Sequence, residues 1–182
     1  LNILTFKDEA GKAAYRHTAS HVMAEAVKNL FPEAKLAIGP SIDTGFYYDF
    51  EHEPFSREDL DKIEAEMKKI IKKGARREFV DLWAGPHLIN TKSIKAFKII
   101  SSSMAYWRGD SSKARLQRIY ATAFDSKDEL NKYLEELEDA KNRDHNKLGR
   151  EMELFTTVDV IGQGLPLLMP KGQRMIQKLQ RW

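Results

Sequence analysis

Two histidines four residues apart, His17 and His21, are the side chains in this sequence best placed by type and spacing to do chemistry. Near pH 7 an imidazole can take a proton from water or donate a hydrogen bond to a developing oxyanion, and two on one helical face can share that work. Their surroundings predict such a face. Ala19, Val22, Met23, Ala26, Val27 and Leu30 recur with helical period until Pro32 stops the run. At about 100° per residue this stripe puts His17, His21, Ala24 and Lys28 on the opposite side. The histidines are therefore expected to face away from the core, at a cleft that other segments must supply. A third histidine, His87, follows the Gly85-Pro86 turn after the strand-like run Arg77 to Trp83, and a residue just past a strand end is a common place for chemistry. Asp81 at the end of that strand can orient a ring. His145 lies in a charged stretch and reads as surface.

Composition narrows the classes. The chain has 182 residues, 42% of them hydrophobic, enough for one core and part of a second unit. With 31% charged residues and a net charge of +3, no global field forces a nucleic-acid or membrane reading, so any RNA contact must be local. The absence of cysteine excludes disulfides and thiolate metal sites and fits a cytoplasmic protein. No apolar run reaches membrane-spanning length, so no membrane partner is expected. The chain starts without methionine and stops at Trp182, after an amphipathic stretch carrying Met175, Ile176 and Leu179, and it is read as a fragment.

The elements that must position the histidines follow from patterning. Lys35 to Pro40 is expected as a short strand and Gly45 to Phe50 as an aromatic one, with Phe46, Tyr48 and Phe50 packing and the Tyr47–Asp49 face left available. Ser56 and Asp59 form a capping-box pattern before a helix that Gly74 ends. Ala96 to Ile100 reads as a strand loosened by Ser101 to Ser103, and Leu116 to Phe124 as the last strand. Ser126 to Glu129 is a second capping box. It opens a long helix that should bury Leu130, Tyr133, Leu134 and Leu137 and then run on, mostly polar, towards Met152. Strands and helices mix without a βαβ rhythm. The expected fold is α+β, a mostly antiparallel sheet with packed helices and a cleft, followed by a long linker helix. The expected domains are 1–124, a linker helix over 125–153, and the opening of a further domain over 154–182.

Taken together, His17-x-x-x-His21, Ile38-Gly-Pro40, Gly45-Phe-Tyr-Tyr-Asp-Phe50, Asp81-Leu82-x-x-Gly85-Pro86-His87 and Tyr106-Trp-Arg-Gly-Asp110 resemble threonyl-tRNA synthetase in order and spacing. The matching part resembles the second additional domain shared with alanyl-tRNA synthetase, and Leu165 to Gly172 is similar to the entrance of the class II aminoacylation domain. The resemblance implies an editing activity that hydrolyses mischarged Ser-tRNA(Thr), with His17, His21, His87 and Asp81 as catalytic residues and Tyr48 and Asp49 as substrate-binding ones. It also implies contact with the tRNA(Thr) acceptor end through Arg108, Arg115 and Arg118. Partners would be that tRNA and the remainder of the synthetase, a homodimer through its catalytic domain. ATP, Mg and Zn would belong to that absent catalytic domain, and no cofactor or metal is expected here.

Three departures stand beside the resemblance. Trp83 occupies a position that is usually cysteine, a stretch of several tens of residues is absent between Gly74 and Arg77, and the ATP-handling motifs are missing. Two rival readings remain open. One is a zinc hydrolase using the three histidines, a ligand number that catalytic zinc accepts. The other is an inactive module that binds tRNA or braces its neighbours.

Overall fold

The computed structural model describes residues 4–74, 86–107, 115–158, 162 and 164–182. Their packing divides the chain into two compact units, Leu1–Asn131 and Lys132–Trp182. In the first, helix α1 (Glu9–Leu30) leads into β1 (Lys35–Leu36), β2 (Ser41–Ile42), β3 (Gly45–Glu51) and helix α2 (Arg57–Lys73). A 3-10 turn (Thr91–Ser93), β4 (Ala96–Tyr106) and β5 (Arg115–Phe124) follow. The sheet order is β1-β3-β5-β4 with β2 also on β3, and every pairing is antiparallel. The α+β reading is thus what the chain adopts. The expected strand 77–83 lies outside the described residues.

Local chemistry explains the borders. Ser56 Oγ accepts from the Asp59 amide, Asp59 Oδ2 accepts from the Ser56 amide at 3.0 Å, and Gly74, at φ 72°, turns α2 off in the left-handed region that favours glycine. Leu60, Ile63, Met67 and Ile70 bury their side of α2 with the periodicity the sequence shows. Beyond Leu36 the chain leaves the strand but stays beside β3, because the Ala37 amide donates to Asp49 O and the Asp49 amide to Ile38 O.

Three expectations need correction. The serine run does not loosen β4. The strand continues to Tyr106 opposite Arg115, with one irregularity between Ile99 and Ser101, because the ladder is carried by backbone groups that serine supplies as well as valine does. The Tyr47–Asp49 face of β3 is not open at Asp49, which is 1% exposed beneath Arg118 of β5. The polar stretch after Ala140 is not one helix either. Helix α3 (Lys127–Asn142) ends, and Asp144 caps a new helix α4 (His145–Glu151) by accepting from the amides of Asn146 and Lys147. Of the expected apolar residues of α3, only Leu130 is buried. The second unit also contains the hairpin β6 (Phe155–Thr157) and β7 (Pro166–Leu168) and helix α5 (Pro170–Gln180).

Helix α1 is the centre of the first unit. Its expected stripe is buried except for half-buried Leu30, but so are Ser20 and Ala24, because the sheet and α2 both pack on it. Tyr15 fixes one end. Its hydroxyl donates to Phe124 O at 2.6 Å and accepts from the Lys95 amide at 2.8 Å, and burial pushes its pKa up to about 12. A phenol harder to ionise when folded adds stability below pH 10 that is lost as pH rises towards 12, since the unfolded chain releases the proton first. Tyr15→Phe is therefore expected to cost about 1–3 kcal/mol near neutrality. It should also flatten the fall in stability between pH 10 and 12, as followed by urea denaturation at a series of pH values.

Candidate active site

The site forms where α1 meets the segment that enters the 3-10 turn. His17 and His21, one helical turn apart, hold their rings 4.5 Å apart at 85°. His87 arrives from more than sixty residues downstream and lies 4.4 Å from the His17 ring and 4.6 Å from that of His21. All three are half-buried, and one nitrogen from each lies within 4.8 Å of the others. They are the one group of three or more metal-capable side chains found among the described residues. A water among three imidazoles can give its proton to one while another donates to a carbonyl oxygen. Equally, three such nitrogens with a fourth position open have the ligand number of a catalytic zinc site.

Two hydroxyls on α1 flank the pair. Ser20 Oγ donates to Gly39 O at 2.9 Å and to His17 O, tying down the Ile38-Gly-Pro40 loop. A side chain at Gly39 would collide with the Tyr48 ring, so only glycine lets the loop lie against that ring. On the other flank, Thr18 Oγ1 accepts the Leu88 amide at 2.9 Å. Sequence reasoning passed over both residues. Their signal is a hydroxyl in a helix interior, where serine and threonine gain little unless the side chain finds a partner.

Among the described residues, Tyr48, Asp49, Arg115 and Arg118 are not members of this trio. Tyr48 is fully buried, stacked on Phe50 at 5.0 Å, and backs the Gly39 loop. Asp49 and Arg118 form a bidentate pair at 2.7 and 2.8 Å, with the guanidinium 3.8 Å over the Tyr47 ring. The bonds from Asp49, above all, hold the Arg118 proton more firmly than usual. Both groups are thus engaged with each other. Arg115 is exposed at the start of β5, opposite Tyr106. Asp81 and Arg108, with Trp83, lie outside the described residues.

Residues 69–120 match the family described as the threonyl and alanyl tRNA synthetase second additional domain. Over its full length the chain is 51% identical to a threonine–tRNA ligase of Clostridium perfringens strain ATCC 13124. Along its whole length the chain is similar to one part of threonyl-tRNA synthetases. Threonine–tRNA ligases of Clostridium botulinum strain Eklund 17B, 51% identical, and of Acetivibrio thermocellus, 46% identical, also match the whole chain. The chain spans about a third of the length of these ligases, 34% to 35%. The alignments run over 222 to 224 residues against 182 here, so the ligases carry residues within the matched span that this chain lacks.

Proposed function

We propose that the three-histidine cleft hydrolyses the ester of mischarged Ser-tRNA(Thr), as the editing part of an enzyme that joins threonine to tRNA. The observation that carries this reading is the meeting of His17, His21 and His87 from two distant segments in a chain similar to part of these ligases. Serine lacks one methyl of threonine, and a missing methylene is worth only about 1–3 kcal/mol in a binding site, so a second hydrolytic site is a general recourse of aminoacyl-tRNA synthetases. In the proposed step one imidazole takes a proton from water, the hydroxide oxygen bonds to the ester carbonyl carbon, and a second imidazole donates to the oxyanion. The carbon–oxygen ester bond then breaks. The ribose oxygen takes the proton back, leaving free serine and uncharged tRNA. The acceptor end of tRNA(Thr) is the proposed partner, with exposed Arg115 available to its phosphates.

A second reading is favoured by the spacing of the ring nitrogens: a bound zinc ion could activate the water. Against it stands the donor set, since tryptophan replaces the soft ligand of the family's fourth position. One experiment separates these readings. The purified chain is expected to release serine from Ser-tRNA(Thr) faster than buffer, to spare Thr-tRNA(Thr), and to keep its rate after chelator treatment. A rate abolished by chelator and restored by zinc would support the metal reading. No acceleration at all would overturn the proposal and favour an inactive tRNA-binding or structural module.

A further inference from the structure

We propose that Thr18 is the positioning residue that sets His87 against the other two histidines, so that the run His17-Thr-Ala-Ser-His21 encodes its own third partner. Its effect on deacylation rests on the hydrolytic reading above, whereas the geometry does not. At about 100° per residue, Thr18 lies roughly 60° to one side of the histidine pair and Ser20 roughly 60° to the other. Each hydroxyl holds one wall of the cleft, Ser20 the Gly39 loop and Thr18 the segment bearing His87.

The Thr18 hydroxyl is used in both directions. It donates to Ala14 O at 2.8 Å and accepts the Leu88 amide at 2.9 Å, and the residue is 5% exposed. The bond to Ala14 turns the hydroxyl hydrogen back along α1 and leaves a lone pair for Leu88, the residue next to His87. One turn away, Tyr15 accepts the Lys95 amide, so two oxygens three residues apart on one face of α1 take two amides of the returning chain. The Tyr15 contact fixes where that chain enters β4. The Thr18 contact, adjacent to His87, fixes the ring. No strand or helix includes residues 86–90, so side-chain bonds and the packing of Leu88 on the core hold this part of the wall.

The test uses Thr18→Val, which keeps the shape and removes the acceptor, Thr18→Ser, which restores it, and Ser20→Ala as a control on the opposite wall. The first readout is the histidine ring resonances of the purified chain by NMR, which need no activity. Thr18→Val is expected to move the His87 ring signals towards those of a solvated histidine, Thr18→Ser to return them, and Ser20→Ala to leave them in place. The second readout is Ser-tRNA(Thr) deacylation. Thr18→Val is expected to lower kcat roughly 10-fold with KM little changed, as misplacing one catalytic group does, and Thr18→Ser to recover most of it. His87 signals unchanged in Thr18→Val, or moved equally by Ser20→Ala, would overturn the proposal. Signals that follow the hydroxyl in a chain with no deacylase activity would uphold the positioning role and overturn the hydrolytic reading alone.

Discussion

Replacing His21 by Ala is expected to slow deacylation of Ser-tRNA(Thr) by on the order of 10²-fold or more while leaving the fold intact. The magnitude is that of losing a positioned proton carrier. His21 is the member of the trio whose ring stands edge-on to both others, at 85° to His17 and 83° to His87. The substitution removes no member of the buried core cluster, which on α1 consists of Tyr15, Ala19, Val22, Met23, Ala24, Ala26 and Val27. Circular dichroism and the urea midpoint should therefore stay close to the parent values as the rate falls. A rate within a factor of two of the parent would sink the assignment.

The second large effect concerns stability. Arg118→Leu is expected to destabilise the first unit by about 3–5 kcal/mol, because it leaves the Asp49 carboxylate, 1% exposed, without its bidentate partner. Arg118 itself is 23% exposed in its side chain, so the arginine end of the pair reaches water while the aspartate end does not. Asp49→Leu combined with Arg118→Leu should recover most of the loss, since apolar replacement of a whole buried pair is often neutral. Urea denaturation of the two variants reads both effects. A loss below about 1 kcal/mol for Arg118→Leu would mean the pair behaves as a screened surface one.

Much of this was legible in the sequence because one signal dominated at each place. The His17 helix, the Ser56 capping box and the aromatic strand are strong local patterns, and each forms where its pattern lies. The cleft was legible only in part. That His17 and His21 share a face is helical arithmetic, but which side of α1 stays open is not, and the presence of Ala24 and Ser20 in the interior shows that a polar face can be covered once its hydroxyls are satisfied. Asp49 misled for a related reason. Alternation along β3 puts it on the outer face, and nothing local says that Arg118, sixty-nine residues away, will close over it. The break between α3 and α4 was available in principle, since Asp144 followed by exposed polar residues is a helix start as well as a helix interior.

Ala19 and Ala26, two turns apart on one face of α1, and Ala24 on the opposite side are each fully buried. Methyl groups are therefore the shims that set how closely the sheet and α2 approach, and the histidine pair rides on the helix they space. Thickening any one of them would slide α1 relative to the segment that carries His87 without altering a single nitrogen or hydroxyl. The tolerance to which the three imidazoles are aligned is thus machined by side chains that have no chemistry of their own.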